Sequence, residues 1–329
     1  MSGGAKTQRE APALAVVVPS RARPLRVRWL LNELETQTLP PERFEVLVAH
    51  PAGDPALEAL ARHPLGQSGR ARSVTVAPEA GRAVARNAGW RATRAPLVVF
   101  THDDCRPPAE WLEEVLAFSG RAPGAPVQGA VEPDPEQDAY RFARFKRVRR
   151  SRPPDPFGPA CNLAFPRAEL DRLGGFDEAA DAEWLDGAEL AALARTAGVE
   201  VLAAPDLRVF HAIRPVAPTE WLREALAVGG LPAALRRTPS LRDGLVLGVA
   251  VRRSHLLALV AIAGAAAARR RPAALALALP WLGELALEPS VHDGGWGRAL
   301  ARLPLRATRD LHQIAALAVG SARARTLCL

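Results

Sequence analysis

Two adjacent carboxylates, Asp103 and Asp104, close the segment PLVVFTHDDC (96–105), directly after a run apolar enough to be a buried strand. Acids held side by side at the end of such a strand repel one another unless a cation or hydrogen-bond donors balance them. A divalent metal carrying a diphosphate is one such partner, because hard cations prefer carboxylate oxygen. An Asx-turn ahead of a helix introduced by Pro107 and Pro108 is the other reading that the spacing allows. Competing chemistries lose their main support: no G-x-G-x-x-G follows a strand, no G-x-x-x-x-G-K-[ST] occurs, and there is no G-x-S-x-G elbow. Cys105, Cys161 and Cys328 are widely separated, with no CxxC pair for zinc and no even-numbered disulfide framework, so a reducing compartment is expected.

The elements that must position these groups alternate short apolar runs with amphipathic stretches, the pattern of a βαβ sheet protein. Strands are expected at Leu14–Val18, Phe44–Val48, Ser73–Val76 and Pro96–Thr101, and helices at Leu25–Thr36 and Gly81–Thr93. In the second helix Gly81, Val84, Ala85, Ala88 and Ala92 share a narrow face of small residues, suited to close packing on a sheet. In open α/β sheets ligands gather at the carboxyl ends of strands, which is where Asp103 and Asp104 fall. A further strand is expected at Asn162–Phe165 and a helix from about Gly187 to Ala197.

The chain has 329 residues, 48% hydrophobic and 24% charged, which excludes a disordered or collagen-like chain and allows one large domain or a domain with an appendage. Its net charge of +8 is carried almost wholly by arginine, since lysine occurs only at Lys6 and Lys146, in an Ala- and Pro-rich background. No nucleic-acid partner is therefore expected from charge alone. Residues 1–13 read as a short disordered leader without a signal-peptide core. The stretch RFARFKRVRRSR (141–152) holds seven cations and no acid, and suits either a solvated helix face or contact with phosphate on a substrate or lipid headgroup.

Beyond Trp221 the segments Leu245–Val251, Leu256–Ala268 and Ala273–Leu287 are apolar, interrupted by Arg252, Arg253 and the triplet Arg269–Arg271. None reaches the roughly 20 residues that span a bilayer. A shallow interfacial hairpin, with the arginines among cytoplasmic headgroups, is expected in preference to a soluble Ala/Leu-cored helical subdomain.

The succession VVVPSR (16–21), ARNAG (85–89), THDDC (101–105), GPACNLAFPR (158–167), LGGFDE (173–178), LDGAELAALARTAG (185–198) and APDLRVFH (204–211) resembles the family 2 glycosyltransferases of the GT-A fold. The C-terminal part is similar, more weakly, to tails of membrane-associated actinobacterial members. The resemblance implies an α/β GT-A domain over 14–215, a mixed sheet flanked by helices, and an apolar helical, membrane-associated region over 216–329. It implies transfer of a sugar from a nucleotide diphosphate donor, with inversion, aided by Mn2+ or Mg2+, to a lipid-linked or cell-envelope glycan at the cytoplasmic face of the membrane. A catalytically degenerate GT-A protein, binding a nucleotide or glycan or scaffolding a membrane assembly, is the alternative.

Matched motif to motif, Pro19, Ser20 and Arg21 would lie near the nucleotide and Arg86 near the donor phosphates. Asp103 would face the ribose or sugar, Asp104 the metal, and His211 would be a further metal ligand. The sequence departs from the family at three places. His50 stands where an acid usually reads the nucleobase, and His102 stands for the first acid of the Asp-x-Asp pattern. On the last helix Asp186 takes the place of the usual Glu, Gly187 that of the usual catalytic Asp, and Leu193 that of a basic residue. Asp186 is the expected general base, with Glu183 and Glu189 as substitutes; Asp186 and Glu189 would also fit a capping box.

Overall fold

A computed structural model describes residues 11–141, 143–180, 184–287 and 295–329. The chain divides into two compact units, one running through Asp134 and resuming at Arg149–Ala212, the other formed by Pro135–Val148 and Ile213–Leu329. Numbered in chain order, the first unit holds strands β1 (Leu14–Pro19), β2 (Phe44–Pro51), β3 (Ala71–Val76), β4 (Leu97–Phe100), β5 (Cys105–Arg106), β6 (Val127–Pro133), β8 (Leu163–Pro166) and β9 (Leu202–His211). Its helices are α1 (Pro24–Glu35), α2 (Ala56–Arg62), α3 (Pro64–Gln67), α4 (Arg82–Arg91), α5 (Trp111–Arg121), α7 (Arg167–Leu173) and α8 (Asp186–Thr196). The second unit holds β7 (Lys146–Arg147), β10 (Arg214–Pro215), α6 (Asp138–Arg141), α9 (Pro218–Leu226), α10 (Leu231–Arg237), α11 (Arg253–Ala267), α12 (Leu279–Leu287) and α13 (Gly295–Ala324).

The eight strands of the first unit form one sheet in the order β3-β2-β1-β4-β8-β6-β9-β5. β1, β2, β3 and β4 run parallel, β8 is antiparallel to both β4 and β6, and β9 is parallel to β6. Buried on both faces, β1 reads as a continuous apolar run rather than an alternation. Leu14, Val16 and Val18 pack with Val27, Leu30 and Leu34 of α1 on one face. Ala15 and Val17 pack with Trp90, Phe165 and Leu190 on the other. The small-residue helix lies close to the sheet as expected, but its buried face is turned. Ala83, Ala85, Arg86, Asn87, Gly89 and Trp90 face inward, and a side chain at Gly89 would meet Val17 Cγ1 at 2.4 Å.

In the second unit α13 packs against α9, α10, α11 and α12. Gly229 and Gly320 let α13 approach closely, since a Cβ on Gly320 would stand 2.2 Å from the Gly229 carbonyl oxygen. Two sequence expectations are corrected here. Leu245–Val251 is not a helix: Val246 pairs with Ala250 in a tight turn that leaves Leu247 exposed at φ 53°. Within 141–152, Lys146–Arg147 is a strand paired with Arg214–Pro215 rather than part of a solvated helix. Among the described residues, no helix is long and apolar enough to cross a membrane. α11, with 15 residues, rises only about 22 Å. Residues 1–10 of the expected leader lie outside the described residues.

Candidate active site

The carboxyl ends of β1 and β4 meet at the predicted site. β1 ends at Pro19, and Ser20 donates its hydroxyl to Asp103 Oδ2 at 2.8 Å. The turn that follows holds Ala22 at φ 54°, a left-handed conformation fixed by donation of its N–H to Asp54 Oδ2 at 2.6 Å. That turn aims Arg23 at both carboxylates: one guanidinium nitrogen donates to Asp103 Oδ1 at 3.0 Å and to Asp104 Oδ2 at 3.1 Å. Arg21, by contrast, is exposed and donates to the carbonyl of Ala80 at 2.5 Å. Nothing in the motif had singled out Arg23; its place three residues beyond Ser20 matters only once the turn folds back. His50 is buried, its ring nitrogens 2.8 Å from the Pro51 carbonyl and 2.7 Å from the Ser73 hydroxyl.

The two acids differ. Burial and the neighbouring Asp104 push the Asp103 carboxyl above its ordinary value, with Arg23 and Ser20 offsetting only part. Burial pushes Asp104 the same way, but His211 and Arg23 outweigh it and hold this carboxyl low. Asp104 is therefore the firmer anion.

Three further groups converge on it. His211 Nε2 lies 3.2 Å and His102 Nδ1 3.9 Å from Asp104 Oδ1, and Cys105 completes a set whose donor atoms all fall within 4.8 Å of one another. Hydrogen bonding sorts them. His211 Nδ1 lies 3.1 Å from the Ala212 carbonyl, which can only accept, so this nitrogen carries the proton. Its Nε2 faces a carboxylate oxygen, as an N–H in the ion pair that holds Asp104 low and as a lone pair once a cation displaces that proton, and a histidine ligand characteristically donates its other N–H to a backbone carbonyl in this way. His102 is reversed: Arg86 Nη2, which can only donate, sits 2.9 Å from Nε2 and occupies that lone pair. Burial and then Arg86 hold His102 well below its ordinary value, so it is neutral with its proton on Nδ1. Burial, followed by Cys161, pushes the Cys105 thiol well up, away from the thiolate a metal needs. Asp104 and His211 thus fit a divalent cation, their ligand atoms spaced like neighbouring ligands about 2.1 Å from one ion. His102 and Cys105 surround the pair without offering it a lone pair.

Arg86 and Asp186, 100 residues apart in sequence, form a buried ion pair. Arg86 is wholly buried, with Phe176 lying 5.4 Å from its guanidinium carbon, and its Nε has no hydrogen-bond partner among the described residues. Arg86, expected at the donor phosphates, is instead directed at Asp186 and His102. Asn87 explains the rest of the Ala-Arg-Asn motif. It donates to the Phe176 carbonyl at 2.8 Å and Glu178 at 2.7 Å, and accepts from Trp90 Nε1 at 2.8 Å and the Phe176 N–H at 2.9 Å. Gly175 must be glycine there: it has φ 81°, and a Cβ would stand 2.4 Å from Asn87 Oδ1.

At the start of α8 the capping box does not form, because Leu185 is the N-cap and offers no side-chain bond. Asp186 Oδ1 accepts instead from the Gly187 N–H at 2.7 Å. A Cβ at Gly187 would stand 2.4 Å from the backbone nitrogen of Ala160, so α8 presses directly on the main chain at the position where the resembling family carries an acid. Glu189 is buried, and Glu183 lies outside the described residues.

Residues 15–174 match the profile described as glycosyl transferase family 2. The glycosyltransferase AglE of Haloferax volcanii is 26% identical over 142 residues, 42% of this chain. The chain matches 46% of that relative's length. Among solved structures, the mannosyltransferase PcManGT of Pyrobaculum calidifontis, in complex with GDP-Man and Mn2+, has a TM-score of 0.62 at 20% identity, covering 94% of this chain and 87% of that one. S. aureus TarS 1-349 in complex with UDP-GlcNAc has a TM-score of 0.50 at 14% identity, covering 95% and 92%. These structural likenesses establish a shared fold, a mixed α/β GT-A-like sheet flanked by helices.

Proposed function

Residues 15–174 belong to glycosyl transferase family 2, and on that premise we propose that the chain transfers a sugar from a nucleotide diphosphate donor to a hydroxyl, using a divalent cation at Asp104 and His211. The observation that carries the reading is the aligned pair itself: a depressed carboxylate 3.2 Å from a histidine whose other nitrogen is committed to a carbonyl. A cation bound there would offset charge developing on the leaving diphosphate. Ser20 and Arg23 hold Asp103 in place, leaving it oriented to accept from a donor hydroxyl. Arg86 acts through Asp186, with which it pairs, and through His102, which it and burial keep neutral.

Asp186 is the proton acceptor in this proposal, by its place at the start of α8. Asp186→Asn should lower turnover by about 100- to 10,000-fold while donor binding persists. The donor site is tested by thermal shift with a nucleotide diphosphate. Mn2+-dependent stabilisation should appear in the parent and vanish in Asp104→Asn, because a ligand bound to the folded state raises apparent stability. Equal stabilisation of both proteins would refute the metal assignment.

The Gly187–Ala160 contact favours a second reading, a donor-binding protein without turnover. Metal-dependent nucleotide binding without donor hydrolysis or transfer would select it. Attachment to a membrane surface, with a lipid-linked or cell-envelope acceptor, is part of the first reading. It is supported by exposed Val260, Ile262, Leu275, Leu277 and Leu279 near the Arg269–Arg271 triplet. Flotation of the full chain with anionic vesicles, weakened when the triplet is changed to serine, tests it.

A further inference from the structure

A cavity of about 470 Å³ is lined by Ala130–Pro133 of β6, Arg150–Arg152, and Pro205, Asp206 and Arg208 of β9. Register explains the lining. Ala130 pairs with Arg208 across β6 and β9, and Ser151 bridges Val131 on the other edge of β6. Side chains alternate along strands. Ala130, Glu132, Arg150, Arg152 and Arg208 therefore share one face, opposite Val131, Ser151 and Val209. Ala130 supplies a floor that a larger residue would fill.

The cradle is fastened before any ligand arrives. Val131 and Ser151 exchange backbone hydrogen bonds of 2.8 and 2.9 Å. Ser151 donates to Asp155 Oδ2 at 2.6 Å, and Gln128 bonds both the carbonyl and the N–H of Asp155, at 2.8 and 2.9 Å. Against this fixed backbone, Arg150, Arg152 and Arg208 are exposed and form no hydrogen bond or ion pair with a described residue, although Glu132 and Asp206 line the same cavity. The three guanidinium groups outnumber the two carboxylates of the lining, and a multivalent anion would satisfy donors that no ion pair occupies.

We propose that this cavity is a second anion site, which takes the phosphate of a phosphorylated sugar, with Arg150, Arg152 and Arg208 on the phosphate and Glu132 and Asp206 accepting from hydroxyls. The inference is independent of the transferase reading. Arg208 precedes His211 by three residues, about 10 Å along the strand, and alternation turns the two side chains to opposite faces of β9. The two sites can therefore be filled separately.

The test is calorimetric titration of the full chain with glucose 6-phosphate in EDTA, which removes metal-dependent nucleotide binding, with glucose as the uncharged control. Glucose 6-phosphate should bind and glucose should not. Arg150→Gln, Arg152→Gln and Arg208→Gln should each weaken binding about tenfold, whereas Asp104→Asn should leave it unchanged. The converse pattern belongs to the donor site: Mn2+-dependent nucleotide diphosphate binding, lost in Asp104→Asn and kept in the arginine variants. Vesicles containing phosphatidic acid distinguish the sources of phosphate. Capture that is lost in the triple variant and competed by glucose 6-phosphate assigns a lipid-borne phosphate; no capture, with glucose 6-phosphate still bound, assigns a soluble one. Equal affinity of parent and triple variant for glucose 6-phosphate, or loss of that affinity in Asp104→Asn alone, would overturn the proposal.

Discussion

Arg23 and Arg86 do the same electrostatic work in opposite surroundings. Arg23 is about one-third exposed, bridges two carboxylates, and leaves a carboxylate oxygen of Asp104 facing His211. Arg86 is wholly buried, and Asp186, its partner, has its other oxygen occupied by the Gly187 N–H. A carboxylate at the open end can exchange its partner for a ligand, because water compensates during the exchange. At the closed end any exchange strands a charge in low dielectric. The contrast teaches that a family motif can persist in type while its duty shifts from contacting ligand to holding the frame.

The strongest way to break this contrast is to remove the buried cation. Arg86→Met should cost about 3–5 kcal/mol in urea unfolding because it leaves Asp186 uncompensated, and Arg86→Met with Asp186→Leu should recover much of that. A single-variant cost below about 1 kcal/mol would mean that the closed end is not closed.

Next in size is Gly187→Ala, expected to destabilise by about 1–3 kcal/mol because its Cβ meets backbone at Ala160 rather than a movable side chain. Unchanged stability would show that α8 can slide.

Asp310 of α13 sharpens the comparison with a carboxylate held by mostly neutral donors. It accepts from Ser254 at 3.0 Å and Trp281 Nε1 at 2.8 Å, with His255 Nε2 at 3.3 Å. Burial would raise its pKa, but hydrogen bonds from His255, Trp281 and Ser254 hold it below the ordinary 3.8. A lowered carboxyl contributes stability that is present above pH 3.8 and is lost as pH falls through the folded value. Asp310→Asn should therefore flatten the acid limb of the stability curve and cost about 1.5 kcal/mol at neutral pH. An unchanged acid limb would remove Asp310 from that account.

The smallest effect on stability is expected at the open end. Arg23→Gln should change it by less than about 1 kcal/mol, as for a partly exposed ion pair. The same variant should strengthen binding of Mn2+ alone several-fold, measured by paramagnetic relaxation of water, because a competing cation has left Asp103 and Asp104.

Strands were legible where burial on both faces writes itself as an apolar run, unbroken in Leu14–Val18 and interrupted only by Glu45 in Phe44–Val48. The pair Asp103–Asp104 was legible too, because strand ends collect ligands. What could not be read was any partnership made across sequence distance. Arg23 reaches Asp103 only through the left-handed turn at Ala22, and His102 gains its tautomer from Arg86 on another element. The C-terminal region misled for a related reason. Apolar content at Leu245–Val251 reports burial or exposure, not helix, and Gly248, at φ 70° in the middle of the turn, is a single breaker inside an otherwise apolar run. α13 runs from Gly295 to Ala324 with Pro304 inside, so its breaker residues mask its length.

The contact between Gly187 and Ala160 also bears on which mutational paths are open. A change of Gly187 to an acid is a single step on paper, yet it must lose stability before it can regain chemistry, since the space a side chain needs is already filled by main chain. A displacement of the Pro159–Ala160 segment would have to come first, and by itself that displacement confers nothing. The contact therefore sets an order: an acid at this position can be accommodated only after the Pro159–Ala160 segment has moved.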